Sequence, residues 1–205
     1  IENKMYSSNV YIDSFSIAEA LTKGAQIVLA GRVSDPGLTL GPAIFEFGWD
    51  RKSYNLLAAG TLAGHIIECG AQCTGGNFTR WQEVPDLYNI GYPIIEMHEN
   101  GYFVITKQDN TGGLINCETV TEQILYEMGD PKQYISPDVC VDFTSFKIQD
   151  LGENRVEVTD VFGYKPTDTY KVSISYFSGY KATGQLTISG PNAYDKAKLT
   201  AEIIW

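Results

Sequence analysis

"SYNLLAAGTLAGHIIECG", residues 53–70, is the longest helix candidate in the chain and is apolar on nearly every side. A helix without a polar face needs protein all round it, so this segment belongs at the centre of the molecule. Gly60 and Gly64 are spaced i, i+4 along it, and the missing side chains predict that another backbone packs close by. Gly70 ends the helix.

Upstream, "SIAE" at 16–19 reads as a capping box of Ser16 and Glu19, with Gly24 as the stop, so a short helix is expected over 17–23. "AQIVLAG", 25–31, is an apolar run of strand length and fits a strand buried on both faces. In "RVSDPGLTLGPAIFEFGW", 32–49, Asp35 and Pro36 read as a cap and first helical position, and Gly41-Pro42 as a restart or kink. Downstream, "YPIIEM" and "GYFVITK" flank the hairpin signal Asn100-Gly101. "TVTE", 119–122, is a second capping box, and Gly129-Asp130-Pro131 stops a helix expected over 120–128.

After "SPD", 136–138, β-branched and aromatic residues dominate. Residues 139–164 and 169–190 read as two hairpins, turning at Gly152-Glu153-Asn154 and at Ser178-Gly179, followed by an amphipathic helix in "NAYDKAKLTAEIIW". The expected fold is α/β, becoming α+β towards the C-terminus. A buried, partly parallel sheet with flanking helices precedes antiparallel hairpins and a C-terminal helix. Residues 1–137 form the α/β region with two Gly-Gly loops, and 138–205 a β-rich region packed with it as one unit.

The chain has 205 residues, 43% apolar and 20% charged, an ordinary globular composition. Its net charge of −10, with 15 scattered basic residues, argues against a nucleic-acid partner. No stretch approaches the roughly 20 apolar residues of a membrane helix, and "IENKMYSSNV" lacks the apolar core of a signal peptide. Cys69, Cys73, Cys117 and Cys140 read as reduced, mostly buried thiols of a cytoplasmic protein. With only His65 and His98 to add, no metal site is expected. The chain opens without Met and closes in what reads as mid-helix, so a piece of a longer protein is expected.

Four features are candidates for chemistry. Arg32, with Asp35 behind it, follows the expected buried strand, where open sheets place ligands; an Arg simply held by that Asp is the alternative. The loop Thr74, Gly75, Gly76, Asn77 could turn its amides onto an anion, or be a strained turn. Lys107 leads into Thr111, Gly112 and Gly113, a loop suited to an anion but lacking the Gly-Lys-Ser/Thr of nucleotide hydrolases. Last come Glu46, His65, Glu68 and Glu96 in apolar settings. His65 and Glu68, three apart, share a helix face and could act as acid and base, or form a structural polar pair. No nucleophile elbow and no nicotinamide fingerprint is present.

The strings "AGRVSDPGLTLGPAIFEFGW", "LLAAGTLAGHIIECGAQCTGGNF", "DLYNIGYPIIEM", "VITKQDNTGGLINCETVTEQILYEMGDPKQYISPDV" and "KVSISYFSGY", in that order and spacing, resemble the core of the acyclic terpene utilisation (AtuA-like) family. The resemblance spans nearly the whole chain. It implies a longer protein with an α/β region ahead of this one. It also implies a place in the breakdown of branched isoprenoids such as citronellol and geraniol, whose intermediates travel as coenzyme A thioesters. It carries no established catalytic residues. Gly31, Arg32, Asp35, Pro36, Thr74 to Phe78 and Thr111 to Gly113 fall within the matching strings, and Gly37 stands where relatives are expected to have a serine or similar small residue.

The leading expectation is an enzyme acting on an isoprenoid acid or its acyl-CoA. The glycine loops with Arg32 and Lys107 would hold the anionic part, and Asp35, His65 and Glu68 would handle protons. The alternatives are a non-catalytic subunit or scaffold that binds a partner enzyme, and a fragment whose site is completed by the missing N-terminal region. No cofactor is specified by the residues, and a homo-oligomer is allowed.

Overall fold

The computed structural model describes residues 4–205. Its elements, in order, are β1 (Met5–Val10), α1 (Phe15–Thr22), α2 (Gly37–Phe47), α3 (Tyr54–Ile67), β2 (Pro93–Met97), β3 (Phe103–Lys107), α4 (Cys117–Leu125), β4 (Tyr134–Ile135), β5 (Cys140–Asp142), β6 (Lys147–Gly152), β7 (Arg155–Thr159), β8 (Phe162–Tyr164), β9 (Val172–Tyr176) and α5 (Ala193–Ile204). The chain divides into two compact units, Ile1–Ser7 with Ile174–Trp205, and Ser8–Ser173.

The larger unit is built around α3. Leu57, Ala58, Leu62, Ala63 and Ile66 are fully buried, and the helix contacts α2, α4, β2, β5 and β8. Each fully buried Leu or Ile contributes about 1.5–3 kcal/mol of transfer free energy, so this one helix carries much of the core. The expected close backbone approach is present. A Cβ on Gly64 would lie 2.6 Å from Pro36 Cα and O, and one on Gly60 would lie 2.6 Å from Leu40 Cδ1. A Cβ on Gly41 would likewise meet Ile17 at 2.8 Å. Three glycines therefore let α1, α2 and α3 stack at near-backbone distance.

A four-stranded sheet, ordered β2-β3-β7-β6, covers one side of this core. Val156 and Val158 point inward while Arg155, Glu157 and Thr159 alternate outward, the period-2 pattern of a half-buried strand. The Asn100-Gly101 hairpin forms as expected, with Gly101 at φ +87° and its N–H donating to His98 O. The Gly152-Glu153-Asn154 turn joins β6 to β7, all three residues at positive φ. A second sheet is ordered β4-β5-β8, and β1 and β9 form a two-stranded ribbon.

Several expectations are corrected. The sheet is not partly parallel: every pairing within the four- and three-stranded sheets is antiparallel. Among the described residues the parallel pairing is a single bridge between Ile12 and Val33. The run 25–31 is irregular, bending at Gln26, Ile27 and Gly31, and forms no strand, and Ile27 and Leu29 are 89% and 98% exposed. Strand propensity needs a neighbour to become a strand, and this run has none along its length. The second expected C-terminal hairpin does not form either; β9 pairs with β1 instead. Helix starts also shift. α1 begins after Ser14, with Ser16 Oγ donating to Asp13 O and Glu19 paired to Lys23. α4 is capped by Asn116, whose box partner is Thr119. Asp35 caps nothing, and α2 runs unbroken through Pro42.

Candidate active site

The Gly64 crossing builds the site. Because Pro36 sits on α3 at Gly64, the preceding residue, Asp35, lies over the last turn of α3, where Glu68 is the C-cap. Asp35, Glu68, Cys69 and Glu127 line one pocket of about 510 Å³, with Leu38 and Ile67 among its walls. Glu127 comes from the loop after α4, at φ +53°.

Glu68 is electrostatically out of the ordinary. Burial first, then the like charges of Asp35 and Glu127, push its carboxyl up from 4.5 to about 7, against a weaker opposite pull from the Cys69 thiol 3.9 Å away. The carbonyls at a helix C-terminus disfavour a negative charge in the same sense. Its Oε2 is buried without a hydrogen-bond partner. His65 sits one turn earlier, 2% exposed, and burial holds its pKa below the usual imidazole range. Its Nε2 lies 3.2 Å from Ile124 O, which can only accept, so the neutral ring carries its proton there. Nδ1 is then left with a free lone pair, 4.0 Å from Glu68 Oε1. Tyr134 and Phe143 pack on the imidazole at 5.5 Å each and fix its plane. Burial, followed by the charges of Glu68, Asp35 and Glu127, raises the Tyr134 phenol, so it is a neutral hydroxyl beside the acid cluster. A carboxyl that titrates near neutrality beside a neutral imidazole can both give and take a proton at physiological pH.

A second pocket, of about 470 Å³, adjoins the first through Asp35 and Leu38, which line both. Its walls are apolar: Ile17, Leu21, Val28, Leu29 and Val33. Ser34 also lines it; this residue is 7% exposed and its Oγ has no partner.

The three residues expected to handle protons therefore come together, Asp35 and Glu68 in the pocket and His65 behind Glu68. Of the expected binding residues only Arg32 stays beside the pocket, and the others lie elsewhere. Arg32 is on the surface, 3.1 Å from Asp35 Oδ1 and with its guanidinium over the Tyr11 ring. The two glycine loops meet, but they meet each other: Leu114 N donates to Thr74 O, and Thr74 Oγ1 lies 2.8 Å from Gly91 O. Gly75 N, Gly76 N and Gly112 N donate to Gln72 O, Ala71 O and Asn89 O, so these amides are already used. A Cβ on Gly113 would strike Ile90 O and Thr74, and one on Gly112 would strike Asp86. Asn77 is exposed. Lys107 Nζ donates to Thr111 O at 2.7 Å, bracing its own loop. Of the remaining carboxylates, Glu96 forms a two-point ion pair with Arg155, and Glu46 is exposed. Sequence reasoning missed Glu127 and Tyr134. Neither stands in a motif, and both reach the site only through the packing of α4 and β4 against α3.

This is an α+β protein whose candidate site is an acid pocket at the C-terminal end of a buried helix, next to a largely apolar trough. The chain belongs to the acyclic terpene utilisation family: the model for acyclic terpene utilisation family protein AtuA matches residues 1–205. No curated protein and no solved structure matches it. No helix among the described residues is long and apolar enough to cross a membrane, and among them no group of three or more His, Cys, Asp or Glu could hold a metal ion.

Proposed function

We propose that this chain is an enzyme of acyclic terpene catabolism that moves a proton on a branched isoprenoid acid or its coenzyme A thioester. The observation that carries this reading is Glu68, a largely buried carboxyl with one unpartnered oxygen, raised to about 7 in a pocket that adjoins an apolar trough. In this reading the Glu68 carboxylate takes a proton from the carbon next to the substrate carbonyl, leaving an enolate, and returns a proton to the same carbon. Burial, followed by Asp35 and Glu127, sets its proton affinity, and His65 is a positioning residue. A cytoplasmic location fits the four free thiols.

The test is solvent exchange. The chain is incubated in D2O with citronellyl-CoA, and deuterium at the carbon next to the thioester is followed by mass spectrometry. Wild type should incorporate deuterium, and Glu68→Gln should lose at least about 100-fold in rate, the usual worth of an acid–base group. No incorporation by wild type, or an unchanged rate in the variant, would sink the reading.

A second reading, a non-catalytic subunit that binds a partner enzyme, is favoured by one observation: Tyr176 and Tyr180 of the aromatic run "SYFSGY" are 51% and 97% exposed.

A further inference from the structure

We infer that recognition rests on the uncharged acyl end of the substrate: the hydrocarbon chain lies in the trough of Ile17, Leu21, Val28, Leu29 and Leu38, its carbonyl beside Ser34 and Asp35, and neither a free carboxylate nor the phosphates of coenzyme A are bound. The inference rests on the proposed function and deepens it.

Five observations point the same way. The two pockets share Asp35 and Leu38 in their walls, so a chain in one places its polar end next to the other. The lips of the trough are large apolar side chains that the core does not use, Leu29 at 98% and Leu38 at 82% exposure. Such residues clustered around a concavity mark a binding surface. Ser34 Oγ is a buried hydroxyl with no partner in the trough wall, next to Asp35 in sequence, and a donor that a carbonyl oxygen would satisfy. The acid pocket is lined by Asp35, Glu68 and Glu127, and no Lys or Arg is among the described residues lining either pocket; the neighbouring Arg32 is taken up by Asp35 at 3.1 Å and by the Tyr11 ring. The glycine loops that could have cradled phosphates have three of their amides bonded to backbone carbonyls.

The test is calorimetric titration of the whole chain at pH 8 with three probes. They are the N-acetylcysteamine thioester of citronellic acid, which is uncharged and lacks phosphates, citronellyl-CoA, and citronellate. The truncated thioester should bind within about threefold of the CoA thioester and at least tenfold more tightly than citronellate. Leu38→Glu, at an exposed position that should fold normally, should weaken the truncated thioester at least tenfold. Ser34→Ala should weaken it by roughly two- to tenfold, one hydrogen bond's worth, with no loss of thermal stability, which a merely structural serine would not do. The inference is overturned if citronellate binds as tightly as the truncated thioester, if the CoA thioester binds 100-fold more tightly, if Leu38→Glu changes nothing, or if no probe binds. Titration of Glu68→Gln separates this inference from the proposed function. Wild-type binding of the truncated thioester by that variant, with no deuterium exchange by wild type, removes the chemistry and leaves the binding site standing.

Discussion

Glu68 is set apart from the other carboxylates by what surrounds it. Burial is the largest cause of its raised pKa, Asp35 the next and Glu127 the third. Removing a like charge should therefore lower its midpoint. Asp35→Asn should shift it downward and Glu127→Gln by less, read from the side-chain carboxyl signal in a 13C titration or from the pH profile of deuterium exchange. An unmoved midpoint in both variants would show that burial acts alone. His65 was legible as a partner from its i, i+3 spacing, but its neutral state comes from burial and its tautomer from Ile124 O on another helix. The glycine loops teach the opposite lesson. Adjacent glycines in a loop look the same whether their amides await an anion or are already bonded, and only the partners Gln72, Ala71 and Asn89 tell which. A substitution such as Gly112→Val would accordingly probe packing against Asp86, not ligand binding.

Among the elements, the α2–α3 crossing sets the site, and it hinges on one absent side chain. Gly64→Ala would gain up to about 1 kcal/mol of helix propensity. The new Cβ, however, would stand 2.6 Å from Pro36 Cα and O, which are backbone and cannot swing aside. Overpacking of this kind costs about 1–3 kcal/mol, so the clash should win. Urea denaturation should show a net loss of stability, and the exchange rate should fall as Asp35 moves off Glu68. Gly129→Ala, with nothing within 4 Å of the new Cβ, is the control and should be near neutral. The start of α1 shows the same dependence on distant chain. Asp138, 124 residues away, accepts from Ser14 N and Ser14 Oγ at 2.8 Å each, in place of the local box expected at Ser16.

At the scale of the whole molecule, two buried carboxyls tie stability to pH. Burial leads in both: Glu68 rises from 4.5 to about 7, and Asp138 from 3.8 to about 6 despite its bonds to Ser14. The folded state holds these protons more tightly than the unfolded one, so their contribution is complete below the ordinary pKa values of 3.8 and 4.5. It is lost as pH rises through about 6 and 7, on the order of 3 kcal/mol for each group at 1.36 kcal/mol per unit. The melting temperature should therefore fall between pH 4 and 7 and level off above. Glu68→Gln and Asp138→Asn should each flatten that fall and raise the melting temperature at pH 8. Asp138→Ala should lower it at every pH by stranding Ser14. A melting temperature that rises from pH 4 to 7 would contradict the assignment.

Local signals alone determined a good deal here. The all-round apolarity of 53–70 made it the central helix, Gly60 and Gly64 announced a close neighbour, and Asn100-Gly101 and Gly152-Glu153-Asn154 made their turns. The resemblance of the strings from Ala30 to Tyr180 led to the family that the whole chain matches. These features depend on contacts within a few residues, or on residue types that only one environment tolerates. Tertiary structure decided the rest. Whether 25–31 became a strand depended on a pairing partner, and the run stands unpaired with Ile27 and Leu29 in solvent. Which carboxylates became a site depended on Pro36 crossing Gly64, because a pKa is set by the burial and charges that distant segments bring, and no spacing along the chain encodes those.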